Sequence, residues 1–235
     1  MRNYFTIGSK ASTDFGVYIS GQGTFDAAGR AYNMIAVPGR NGDLVGPEKR
    51  FLNGTLTYPA FIYSNFSKNI EDFRNFLLSL FGYHDLVDTY HPNEIRKVLF
   101  AGPFIANVET KNDAGSFDLS FNCKPQRFLS SGNTPVTLTG SGSITNPTLF
   151  PSQPLLRVYG TGALGIGSHS ITINQADVYT DIDCEMMDAY KGTDSKNGSI
   201  ELSGYNFPVL EPGANTITFG AGITQVDITP RWFVL

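Results

Sequence analysis

Apolar and polar residues alternate along most of this chain. In FGVYIS, Phe15, Val17 and Ile19 take every second position, and in LTYPAFIY Leu56, Tyr58 and Ala60 do the same. Phe117, Leu119, Phe121 and Cys123 alternate with Asp118, Ser120 and Asn122, as in a strand with one face buried and one in water. The pattern returns later at Ile171 and Ile173, along the run Val178, Thr180, Ile182, Cys184 and Met186, and at Ile200 and Leu202, Ile217 and Phe219, and Val226 and Ile228. A period of two implies strands, because successive side chains leave a strand on opposite faces.

One segment has a different period. In SKNIEDFRNFLLSLFG, Ile70, Phe73, Leu77, Leu80 and Phe81 recur at three and four residues, which places them on one stripe of a helix. Ser67 or Asn69 is expected to cap the first turn, Glu71 and Asp72 to lie near the positive end of the dipole, and Gly82 to end the helix in a left-handed conformation. The apolar stripe is expected to lie on the first sheet.

From Ser130 to Thr148 the chain is nearly free of bulky apolar residues and rich in Gly, Ser, Thr and Pro. This reads as a boundary between a β domain with one helix, residues 1–131, and an all-β domain, residues 132–235. The short strands and frequent turns of the second suit a sandwich.

The stretch VPGRNGDLVG, Val37 to Gly46, tests whether the glycines hold an anion. A phosphate loop needs a strand, a glycine turn and then a helix whose N–H groups meet the phosphate. Here AYNMIAVP leads in and KRFLNGTLTYPAFIY leads out, so strand pattern stands on both sides, and there is no GK[ST]. Pro38-Gly39 and Asn41-Gly42 are turn dipeptides. The stretch therefore predicts the tip of a long β-hairpin, with Arg40 and Asp43 on its exposed end.

Composition narrows the partners. The chain has 235 residues, long enough for one large or two small domains. Only 16% are charged, against about a quarter in ordinary domains, which suits a protein in an assembly and equally an extracellular β protein. The net charge is −4 and the basic groups are short, so sequence-specific nucleic-acid binding is not expected. No run of about 18 apolar residues occurs, and no membrane insertion is expected. MRNYFTIGSK lacks the apolar core of a signal peptide, so synthesis in a cytoplasm is the expectation. Cys123 and Cys184 sit in apolar runs and read as buried free thiols, with no CxxC pattern for zinc.

Candidate chemistry is sparse. His84 and His91 flank Asp85 and Asp88, and a metal site can be drawn from them, but positions seven apart on a strand face opposite sides. Asp181, Asp183 and Glu185 share one face of an expected strand, and that face reads as solvated rather than as a calcium site. Trp232, the single tryptophan, is either a saccharide-stacking platform or a core residue near the chain end. No G-x-S-x-G elbow is present and no acid–base pair is marked, so neither a catalytic site, a metal nor a cofactor is expected.

The order VPGRNGDL, LTYPAFIY, NIEDFRNFLLSLFGY, DTYHPNEIRKVLF, then NPTLFPSQPLLRVYGTG, ITIN, DIDCE, FPVLEPGANTI and PRW resembles the distal tail proteins (Dit) of long-tailed, siphovirus-type phages of Gram-positive bacteria. The resemblance spans nearly the whole chain. It implies a homo-hexameric ring at the virion tail tip, part of the baseplate hub, built by a β-sandwich-like N-terminal domain with one helix and a long hairpin that embraces the adjacent subunit. It implies a galectin-like or carbohydrate-binding-module-like C-terminal sandwich. The implied partners are the tail tube protein on one face, the tail-associated, fibre-like protein on the other and, as a further contact, a receptor-binding protein. On this pattern Gly39, Arg40, Asn41, Gly42 and Asp43 form the hairpin turn and a subunit contact. The second domain, of about 100 residues, shows no long insertion for a gripping arm. The rival reading from another class is a carbohydrate-binding adhesion module that recognises host cell-wall saccharide, with Tyr179, Tyr190, Tyr205 and Trp232 as its available rings.

Overall fold

The computed structural model describes residues 2–21, 27–100, 102–109, 113–204 and 206–235. The chain is mainly β and divides into two compact units, Met1–Arg127 with Leu235, and Phe128–Val234.

The first unit contains β1 (Phe5–Ile7), β2 (Lys10–Ala11), β3 (Val17–Ile19), β4 (Arg30–Ile35), β5 (Leu44–Phe51), β6 (Gly54–Ile62), α1 (Phe66–Ser79), β7 (His84–Asp88), β8 (Glu94–Leu99), β9 (Ala106–Glu109) and β10 (Ala114–Leu129). The last two residues of β10 belong to the second unit. The main sheet runs β2-β1-β7-β8-β10-β6-β3, and β9 also pairs with β10. Its far end curls back: the Ile19 N–H donates to the Asn3 carbonyl at 2.9 Å, so β3 bridges to the residues just before β1. A curled sheet has an inside, and the alternating residues fill it. Leu56, Tyr58, Ala60 and Ile62 from β6 and Phe117, Leu119, Phe121 and Cys123 from β10 are all buried there.

The helix closes this core. Phe66, Phe73 and Leu77 are buried, and the Phe73 ring stands 5.7–6.4 Å from those of Phe5, Phe15, Phe104 and Phe117. Such aromatic spacing adds to the plain burial of area. Gly115 makes room on β10, since a Cβ there would overlap the Phe66 ring.

The ends of the helix differ from expectation. It begins at Phe66, ahead of Ser67, and the flanking Asn65 is left-handed with no capping side chain of its own. The cap comes from far along the chain: the Phe66 N–H donates to both the backbone carbonyl and Oδ1 of Asp113, each at 3.1 Å. At the other end Leu80 is already extended, and Gly82, with φ +80°, lies beyond the helix.

The second unit holds β11 (Val136–Leu138), β12 (Gly142–Asn146), β13 (Leu155–Gly160), β14 (Gly162–Ile166), β15 (His169–Ile173), β16 (Tyr179–Asp183), β17 (Asp188–Lys191), β18 (Asp194–Ser195), β19 (Ile200–Leu202), β20 (Gly213–Phe219) and β21 (Ile223–Thr229). They form a six-stranded sheet, β11-β21-β13-β16-β17-β18, and a five-stranded sheet, β12-β20-β14-β15-β19. Inward residues of both, among them Leu156, Val158, Leu164, Ile171, Ile182 and Val226, make one core, as in a sandwich. The expected long strand through DVYTDIDCEMMD is instead a hairpin: β16 ends at Asp183, Met187 turns with φ +54°, and Asp181 pairs with Tyr190 on β17.

Candidate subunit interface and the remaining polar sites

β4 and β5 form a two-stranded sheet of their own, in register Met34↔Val45, Asn33↔Gly46 and Ile35↔Leu44. Residues 36–43 make the tip. Gly39 and Gly42 have φ +78° and +79°, conformations that a side chain resists, and the Arg40 N–H donates to the Val37 carbonyl at 3.2 Å. Arg40, Asn41 and Asp43 are exposed, and neither charge forms an ion pair among the described residues. No helix follows the tip, so no helix N-terminus is present to hold a phosphate.

The hairpin's stem is unusual for a solvated element. Tyr32 (54% exposed), Met34 (57%) and Val45 (55%) lie on one of its faces, and Ile35 and Leu44, also exposed, lie on the other. None of them belongs to the core of the first unit. An isolated two-stranded hairpin is marginal in water, and a run of uncovered apolar side chains marks a contact surface.

The other candidate residues are held in structural roles. Asp88 forms a turn: its Oδ1 accepts the N–H groups of Tyr90 (2.9 Å) and His91 (2.7 Å), and its Oδ2 accepts the Tyr58 hydroxyl at 2.5 Å. Burial, with the Asp88 charge behind it, pushes the Tyr58 phenol well above its ordinary range. His91 lies in this turn beyond β7, and the His84 ring meets the Phe81 carbonyl at 3.1 Å. No group of three metal-ligating side chains occurs among the described residues.

Asp181 and Asp183 are not solvated, contrary to expectation; they are 5% and 3% exposed. Each is held by an arginine fork from another strand or segment. Arg157 on β13 donates Nε and one Nη to Asp181 at 2.7 and 2.9 Å, and its guanidinium also lies 4.3 Å from the Tyr179 ring centroid. Arg231 donates to both oxygens of Asp183 at 2.8 Å. Burial alone would raise the Asp183 carboxyl, but Arg231 and the N–H groups of Met186 and Glu185 outweigh it and hold the group below the ordinary carboxylate range. The forks were not visible in the local pattern, because both partners are distant in sequence.

Trp232 is 5% exposed and sits in the second core, so its ring offers no open face to a sugar. Tyr179 and Tyr190 are half-buried, and Tyr205 lies outside the described residues.

No protein-family model matches the chain, and no curated protein sequence does. Solved structures do. The chain is similar to the Dit protein of phage SPP1, described as a paradigm of the hub adsorption apparatus in phages that infect Gram-positive bacteria, at 13% identity over 100% of both chains with a TM-score of 0.73. It is also similar to a chain of the phage P2 baseplate in its activated conformation with calcium, at 11% identity over 97% of this chain and 98% of that one, with a TM-score of 0.52. The chain has a Dit-like phage hub fold.

Proposed function

We propose that this protein is a non-catalytic structural part of a phage tail tip, six copies of which close into a ring between the tail tube and the adsorption apparatus. The observation that carries the reading is the β4–β5 hairpin, apolar and uncovered on both faces within a full-length Dit-like fold. A closed ring repeats one heterologous contact, so each subunit must offer a donor surface and a different acceptor surface. The hairpin supplies the donor, with Gly39–Asp43 at its leading end. The tail tube protein on one face, the tail-associated protein on the other and a receptor-binding protein are the partners this reading requires. In this reading the first unit forms the ring and the second is a galectin-like sandwich. A net charge of −4 suits a channel that lets DNA through, since a basic lumen would gain counterion-release affinity and retain it.

Light scattering on the purified protein, with negative-stain images of the same sample, tests the reading. A species of about six chains with a central hole supports it. A strict monomer, alone and with the tube protein present, overturns it.

A further inference from the structure

The outer face of the first unit's sheet carries a cleft whose described lining includes no residue of the β4–β5 hairpin. At Ser116, β10 is flanked by β6 on one side and β9 on the other, with Phe61 and Asn107 as its direct neighbours. Strands lie about 4.8 Å apart, so Phe61 and Asn107 stand roughly 10 Å apart with only a serine side chain between them. Pro103 and Ile105, the latter 80% exposed, close the same side as Asn107. Asp118 follows two residues along β10 on the same face. The resulting cleft measures about 560 Å³, inside the range of about 300–1,000 Å³ typical of small-ligand sites.

The lining has a definite chemistry. Among the described residues the side chains of Ser116, Asn107 and Asp118 make no hydrogen bond or ion pair, so these side chains are open to a ligand. The walls are apolar. The Phe61 ring is held in place from behind by Tyr18, with centroids 5.8 Å apart, and Tyr18 lies beneath the Arg2 guanidinium at 5.3 Å. A ring fixed before binding loses little freedom when a ligand stacks on it. Among the described residues no lysine or arginine lines the cleft, which argues against a phosphate-bearing ligand.

A ligand that fits has apolar faces for Phe61 and Ile105 and a rim of hydroxyl groups for Ser116, Asn107 and Asp118. A pyranose ring has that form. We infer that this cleft binds a neutral oligosaccharide, a contact in the first unit and independent of the ring-forming hairpin.

Saturation-transfer NMR on the full chain, with maltotriose and chitotriose as probes, tests the inference. Transfer from at least one triose is expected. Phe61→Ala and Asp118→Asn should each weaken binding by about tenfold or more. Ser116→Phe, which fills the cleft from an exposed strand position, should abolish it, with the melting curve as the folding control. No transfer from either triose to the unaltered protein overturns the inference. So does binding that persists in Ser116→Phe and Asp118→Asn, since the sugar then sits elsewhere. The ring is judged separately by mass, so either idea can fail alone.

Discussion

Arg231 grips Asp183 with two parallel bonds of 2.8 Å, across 48 residues of chain. Asp183 is almost wholly buried, so the charge has no water to fall back on. Arg231→Met should therefore destabilise the second unit by about 3 kcal/mol, the usual cost of stranding a buried charge. Arg231→Met combined with Asp183→Asn, which removes the stranded charge but keeps an oxygen for the Glu185 and Met186 N–H groups, should recover much of the loss. Chemical denaturation of the three proteins checks this, and equal stability of the single and double variants would contradict it.

The same pair gives a pH dependence. The Asp183 carboxyl is held below its unfolded range, so its contribution is full above the ordinary carboxylate range and is lost as pH falls through the lowered value. The difference in melting temperature between the native protein and Asp183→Asn should shrink steadily on acidification from pH 7 to pH 2. A difference that stays constant with pH would show that the ionised form is not what is stabilised.

Met34 and Val45 face one another on the hairpin and are both more than half exposed. Met34→Asp with Val45→Asp should change the stability of the isolated chain by no more than about 0.5 kcal/mol, as ordinary surface substitutions do. The same change should reduce a ring to single chains in light scattering. Arg40→Ala with Asp43→Ala should loosen the ring more mildly, and an unaltered ring would remove the tip from the contact.

Asp113 caps a helix that starts 47 residues earlier. Its φ of +47° suits Asn as well as Asp. Asp113→Asn should be nearly neutral, whereas Asp113→Ala should cost about 1–2 kcal/mol through the lost cap and the left-handed backbone. Urea unfolding of the pair distinguishes a cap from a mere surface position.

Both cysteines are buried, and burial, assisted by the neighbouring Asp183 charge, pushes the Cys184 thiol up to about 12. Ellman's reagent should label neither thiol in the native protein at pH 8 and both in guanidinium chloride. Rapid native labelling of Cys184 would show that the second core opens easily.

What could be read from the sequence was whatever neighbouring residues decide together. Phe117 to Cys123 alternate because one strand has one wet face, and that face is visible within seven residues. Phe73 and Leu77 mark the buried side of the helix for the same local reason. The Asp113 cap and the Arg157 and Arg231 forks were not legible, since each joins groups that only the folded chain brings together. A carboxylate at a strand position looks the same in sequence whether water or an arginine meets it. The cleft at Ser116 is hidden for a similar reason, as its walls come from β6, β9 and the segment before β9.

Tyr32, Met34, Ile35, Leu44 and Val45 of the β4–β5 stem take no part in the core of the unit that carries them. Most mutations in a core-forming strand are punished by misfolding before any partner is met. These residues escape that filter, and in the proposed ring it is the neighbouring copy's surface that constrains them. They are thus free to drift jointly with that surface, lineage by lineage. In a cell holding two related versions of this protein, the stem is where copies of one kind would come to refuse copies of the other.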